Sequence, residues 1–265
     1  MTIFKNILIT LTAVAGLSSA VVALDDGHKP ANKQVDWSFN GLTGMIDVKA
    51  ARRGFQVYRE VCSSCHSLKY FKFRNLADLH YPEDQIKAVA AEYDVPGDLD
   101  DFGDETMRKG LPQDAMPAPY ANDNAARASN NGALPPDLSL MVKARPDGAN
   151  YLYSLLTGYG DAPSGFTVNP NMHYNPYFSG QQIGMAEPLS EGRVEFDDGS
   201  PSSKEQMAQD IVMFLAFVAE PSLNDRHSMG ANVMIFLLIL TLLFYRSMKK
   251  IWAPVKRGEN VIDKK

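Results

Sequence analysis

Residues 61–73 read Val-Cys-Ser-Ser-Cys-His-Ser-Leu-Lys-Tyr-Phe-Lys-Phe and contain the only two cysteines of the 265-residue chain, Cys62 and Cys65. His66 follows at once. Cys-x-x-Cys-His is the spacing at which a c-type haem is attached: both thiols add to the vinyl groups as thioethers, and the adjacent imidazole is left under the ring to bind iron. Two other chemistries of a Cys-x-x-Cys pair fit less well. A thioredoxin-like redox pair usually opens a helix after a strand, whereas here a helical pattern precedes the motif. Zinc would need two further ligands at similar spacing, and no second cysteine pair exists. Upstream, residues 47–61 carry no proline and set Ala50, Phe55, Val57, Tyr58 and Val61 at near-helical intervals. They predict an amphipathic helix that delivers the motif at its end.

Further out, the two ends of the chain give its organisation. Residues 1–23 combine Lys5, an apolar run over residues 7–22 and small residues near its end, which is the pattern of an export signal cut after Ala20 or Ala23. A second apolar segment, residues 227–245, holds 19 residues without a formal charge. About 20 such residues of helix span a bilayer core. The chain thus divides into a signal at 1–23, a haem domain at 24–225, a transmembrane anchor at 226–246 and a basic tail at 247–265. Arg246, Lys249, Lys250, Lys256 and Arg257 follow the anchor and predict a cytoplasmic carboxyl terminus, with Trp252 at headgroup level and the haem domain on the periplasmic side of the inner membrane.

Charge follows the same division. Residues 24–225 hold 17 Lys+Arg against 29 Asp+Glu, a formal −12, while from Arg226 onward 8 basic residues face 2 acidic ones, +6. A domain this acidic repels nucleic acid and attracts a basic protein through forces that salt screens.

Histidine alone would leave the iron with an open position; a methionine thioether closes it and raises the reduction potential. Candidates after the motif are Met107, Met116, Met141, Met172, Met185, Met207 and Met213, with His80 and His173 as alternatives. Met207 and Met213 fall on a predicted helix over 203–219, where methionine serves as core filler. Met185 stands in Gly184-Met185-Ala186-Glu187-Pro188, a loop whose small neighbours allow close backbone approach. Met116, followed by Pro117, is in a loop too, so composition leaves both open.

Several stretches together resemble the cytochrome c1 family: Trp37-Ser38-Phe39, residues 61–73, residues 126–138 (ARASNNGALPPDL), residues 151–159 (YLYSLLTGY), residues 175–178 (NPYF), residues 183–188 (IGMAEP) and the carboxyl-terminal anchor. The resemblance implies a mainly α c-type cytochrome fold with long irregular loops. It implies Met185 as the sixth ligand, Arg145 at a haem propionate, and Asn130, Pro136 and Tyr151 in the haem pocket. It also implies one covalent haem and a place as haem subunit of a dimeric quinol–cytochrome c reductase. There the chain would pass electrons from the Rieske iron-sulfur protein, beside cytochrome b, to a soluble c-type cytochrome with a basic face, without bond-making chemistry of its own. Some bacterial family members carry an extra disulfide in the haem domain, which two haem-bound cysteines cannot supply here.

Residues 110–185 are rich in Pro, Gly and Asn and predict irregular loops around a haem edge, broken by one periodic run over 149–157 and followed by at most a short hairpin near 193–196. Residues 92–105 hold seven acidic side chains and read as an exposed loop. The motif by itself does not separate an electron carrier from a peroxidase-like or gas-binding protein with a vacant iron position, or from a subunit anchoring another dehydrogenase.

Overall fold

The computed structural model describes residues 29–258; the export signal expected at 1–23 lies outside them. The predicted helix upstream of the motif is α1, Val48–Glu60, started by Asp47, whose side chain accepts from the backbone N–H groups of Lys49 and Ala50. Such a cap satisfies donors the first turn leaves unpaired. The inward face of α1 carries Ala50, Ala51, Gly54, Phe55, Val57 and Tyr58. It ends at Val61, and Cys62–Ser64 form a 3₁₀ turn directly after it.

Helices α2 (Glu83–Ala91), α3 (Asp123–Ser129), α4 (Gly148–Leu156) and α5 (Lys204–Ala219) follow, then the long carboxyl-terminal α6 (Leu223–Lys256). Ser203 caps α5 by accepting from Gln206 N–H. Residues 210–218 of α5 are buried without interruption, so this helix forms the centre of the core rather than one wall of it. Met207 and Met213 are among its packed side chains, as their helical position predicts.

Helix α5 crosses α1 at Gly54, where a Cβ would stand 1.9 Å from the backbone oxygen of Asp210 and 2.7 Å from Cβ of Phe214. Beside the crossing, Arg53 reaches Asp210 with two parallel bonds, Nε to Oδ2 at 2.7 Å and Nη2 to Oδ1 at 2.9 Å. Burial pushes the Asp210 carboxyl up and Arg53 opposes it. Around the contact lie Phe55, Phe71, Tyr58 and Phe217, each with its ring 5.4–6.4 Å from a neighbour in the cluster centred on Phe214. Aromatic pairs at such spacing add to the burial they already supply.

Elsewhere the loops depart from expectation. The acidic stretch 92–105 is exposed, but much of it is hairpin: β1 (Asp94–Leu99) pairs antiparallel with β2 (Glu105–Lys109). Its turn is closed by Asp100, whose Oδ1 accepts from the N–H groups of Phe102 and Asp104, with Gly103 at φ +84°. An aspartate folding back on its own backbone makes turn geometry from residues that composition marks only as solvated. At 193–196, where at most a short hairpin was expected, the backbone is irregular and buries Val194 and Phe196. The short pairing lies instead between β3 (His173–Tyr174) and β4 (Gln182–Ile183). Helix α3 also forms where irregular loop was expected, capped by Asn122 accepting from Ala125 N–H.

Helix α6 is long and apolar enough to cross a membrane. It continues about a dozen residues beyond the apolar stretch through Arg246, Lys249 and Lys250, since Lys and Arg are good helix formers. Its apolar side chains are bare on all sides, from Val233 to Trp252.

The Gly54 crossing yields the first prediction. Gly54→Ala forces the two helices apart and is expected to destabilise the domain by more than ~3 kcal/mol. A lowered midpoint in thermal unfolding followed by circular dichroism would show it, with Ala51→Gly on the same helix as comparison.

Candidate functional site

Three segments meet at the cysteine motif. The 3₁₀ turn folds it back on itself, Cys65 N–H and His66 N–H both donating to Cys62 O at 3.1 and 2.9 Å. From α1, two turns earlier, the Tyr58 hydroxyl donates to His66 O at 2.9 Å. Burial pushes that hydroxyl far above its ordinary value, so it is a standing donor. Cys62 is partly buried against the core, and burial, then the neighbouring Cys65, push its thiol up to about 12. A thiol held protonated in an apolar setting is the opposite of a reactive thiolate of a redox pair. It suits a sulfur that ends as a neutral thioether.

His66 Nδ1 lies 2.8 Å from the backbone oxygen of Pro136. A carbonyl only accepts, so Nδ1 carries the hydrogen and Nε2 keeps its lone pair free, the orientation an imidazole metal ligand requires. Burial pushes the His66 imidazole below its ordinary value, against smaller opposing contributions from Pro136 and Asp137, which favours the neutral ligand form.

Pro136 is held to the motif by Asp137. Its Oδ2 accepts from Ser67 Oγ and Lys69 N–H, both at 2.8 Å, and its Oδ1 from Ser139 N–H at 3.0 Å. Leu138 N–H donates to Ser67 O and Tyr70 N–H to Ser139 Oγ. Residues 66–70 and 137–139 are thereby joined like two edges of a seam.

The 130–136 loop also reaches the second candidate ligand. Ala133 lies where a Cβ on Gly184 would meet it at 3.2 Å. Two residues lie between Ala133 and Pro136, three steps or at most about 11 Å of chain, so Gly184-Met185 and His66 flank one short loop. Met185 is partly buried against the core. Its carbonyl accepts from the Tyr159 hydroxyl at 3.0 Å, which burial, Glu187 and Tyr151 keep protonated.

The other candidates are placed otherwise. Met116 is 4% exposed in the core and its N–H donates to Phe71 O. Met141, Met207 and Met213 are core residues, while Met107 is 62% exposed on β2. His80 and His173 are exposed, the former with φ +59° after a 3₁₀ turn. Met172 lines Gly184, its sulfur 3.8 Å from the same Cβ position.

Arg145 is exposed and donates to its neighbouring carbonyl, Ala144 O, at 3.1 Å. It stands beside Tyr151: burial raises the Tyr151 hydroxyl, and the charge and hydrogen bonding of Arg145 oppose this. Lys29 Nζ sits 4.7 Å from the centre of the same ring. Two cations at one tyrosine suit an anionic substituent. Asn130 spends its amide donors within its own segment, on Tyr120 OH at 3.0 Å and Ala126 O at 2.7 Å, and so shapes the 130–136 loop. Among the described residues no three His, Cys, Asp or Glu side chains assemble into a metal-binding group.

Residues 37–255 match the Cytochrome C1 family. The chain belongs to the cytochrome c1 family. Relatives lie on both sides of the bacterial–eukaryotic divide. Cytochrome c1 of Rhodospirillum rubrum is 43% identical over 96% of this chain and 99% of its own length. A mitochondrial cytochrome c1 heme protein of Arabidopsis thaliana is 42% identical over 96% of this chain and 82% of its own, and that of Schizosaccharomyces pombe 46% identical over 84% and 73%. The family match covers the cysteine motif, the 130–139 loop and the Met185 loop of the site just described.

Tyr58, Asp137 and Tyr159 bind the site's backbone together, yet sequence reasoning does not single them out. Periodicity marks Tyr58 only as a core residue, and nothing local shows that its hydroxyl has a partner.

Asp137 gives a pH prediction. Burial alone would raise its carboxyl, but the Lys69, Ser139 and Ser67 donors together hold it below the ordinary value. A depressed carboxyl stabilises the fold above its unfolded value and loses that contribution as pH falls through the folded one. Asp137→Asn is therefore expected to cost ~1 kcal/mol at pH 7, after allowance for partial solvent screening. In urea unfolding, the difference from the parent should shrink toward zero below pH 4.

Proposed function

We propose that this chain holds one haem through Cys62 and Cys65, with His66 and Met185 as the residues that would ligate its iron, and carries single electrons within a quinol-oxidising membrane complex. The observation that carries this reading is the His66 imidazole, fixed by Pro136 O at 2.8 Å with Nε2 left free beside two cysteines at thioether spacing. The family supports it further, since relatives bear the name of heme proteins.

When bound, the haem supplies a one-electron couple whose potential follows its axial ligands. The polypeptide's part is binding, orientation and exclusion of water. Tyr58 and the Asp137 seam fix the imidazole on one side; Tyr159 fixes the Met185 backbone on the other. Arg145 and Lys29 offer positive charge at Tyr151 for a propionate. No proton need move with the electron: the chain accepts one from the Rieske protein and gives one to a soluble c-type cytochrome, returning to its starting state. Cytochrome b is the expected neighbour in the membrane and the assembly a dimer.

Helix α6 serves as the anchor in this reading, with the basic residues from Arg246 onward on the cytoplasmic side and the acidic haem domain in the periplasm, as the export signal requires. The −12 charge of residues 24–225 then steers a basic partner. Steering acts mainly on association rate.

Two results test this. Met185→Leu should keep covalently bound haem while its potential falls by roughly 0.2 V or more, read by redox titration of the α band; an unchanged potential would identify another ligand. In stopped flow, oxidation of the reduced protein by a basic soluble cytochrome should slow steeply between low and high salt, and salt-independent second-order rates would remove the steering role.

A further inference from the structure

Helix α6 leaves the domain under constraint. Asn224 in its first turn accepts Ile46 N–H at 2.7 Å and donates to Ile46 O at 3.4 Å. One turn on, His227 Nδ1 donates to Gly44 O at 2.6 Å. The partner segment, residues 38–46, is a closed loop in its own right. Asn40 N–H donates to Trp37 O at 3.0 Å, Met45 N–H to Ser38 O at 2.8 Å, and Ser38 Oγ to Met45 O at 2.8 Å, with Gly41 turning at φ +82°.

This loop has an unusual surface. From Trp37 to Ile46 the chain carries no formal charge, within a domain that is otherwise densely charged. At its tip Leu42 is 94% exposed, and Met45, next to the bond with His227, is 46% exposed. Among the described residues nothing covers Leu42, and Met45 is only half covered.

Depth follows from helix geometry. The 19 charge-free residues 227–245 span about 29 Å of helix, close to the ~30 Å of a hydrocarbon core. His227 therefore marks the outer boundary of that core, and Gly44, bonded to it, is at the same level. We infer that residues 40–45 form a second membrane contact, with Leu42 and Met45 set into the lipid at the headgroup–acyl boundary. This rests on the reading of α6 as a membrane anchor. The occupant is lipid rather than protein because the loop is fastened to the helix at the depth where lipid begins and offers only two side chains rather than a broad face. With no Lys or Arg between Trp37 and Ile46, the contact is apolar and indifferent to lipid charge.

The test uses the full-length protein in phosphatidylcholine nanodiscs, carrying a nitroxide label at Leu42→Cys. Reference labels sit at Phe102→Cys on the hairpin turn and at Leu238→Cys midway along α6; the parent protein taken through the same labelling serves as blank. All three side chains are more than half exposed, so the substitutions leave the core intact. Collision with oxygen relative to a water-soluble nickel chelate should be several-fold higher at residue 42 than at residue 102 and approach the value at residue 238. A ratio equal to that at residue 102 overturns the inference, and so does a label shielded from both reagents, which would reveal a protein cover. Should residue 238 itself report water, the anchor reading fails instead, a distinguishable result.

Discussion

The contact on which the rest of the molecule depends is the approach of α1 to α5 at Gly54, where there is no room for a single carbon atom. Because α1 ends at Val61 and the cysteine motif begins at Cys62, the position of the motif is set by where α1 lies on α5. The aromatic rings around Phe214 fill the space beside the crossing, and the Arg53–Asp210 pair occupies its edge. The pair is the more delicate component. A carboxylate 1% exposed depends on its guanidinium partner to stay charged.

From that frame the site is held mainly through backbone atoms. Pro136, Met185 and His66 each present a carbonyl oxygen to a side-chain donor: His66 itself, Tyr159 and Tyr58. Asp137 does the reverse, collecting backbone donors. Such bonds fix the course of the loops without using the groups that would meet a cofactor. They tie the candidate site together without a disulfide.

How much of this could be read in advance varies with the range of the interaction. The helix before the motif, the capped helix at Ser203 and the apolar carboxyl-terminal helix are local patterns, and each is found where its periodicity predicts it. The hairpin at β1 and β2 was hidden because Asp100 and Gly103 make turn geometry from residues that also fit a plain solvated loop. Helix α3, seven residues long, rests on one cap at Asn122 and a run too short for periodicity to register. In the site, the cysteines and His66 are contiguous and legible. Pro136 comes from resemblance alone, and loop composition leaves Met185 level with Met116 until the resemblance separates them, since the two lie 70 and 119 positions beyond His66 and no spacing rule spans loops of that length. Tyr58, Asp137 and Tyr159 are hidden because the hydrogen-bond partner of a side chain depends on which backbone group the fold brings to it.

Glu220, at the junction of α5 and α6, grips Lys143 at 2.8 Å and Arg226 at 3.0 Å. It thus ties the segment leading to Arg145 to the first turns of the long helix. Together with the bonds from Asn224 and His227 to residues 44–46, this gives the helix two points of purchase on the domain. A rod clamped at two points cannot swivel independently of what holds it. If the helix is the anchor proposed above, a change in its tilt would pass into the domain through these bonds. The distance between the candidate haem pocket and whatever lies below it is therefore built into the chain as a fixed dimension.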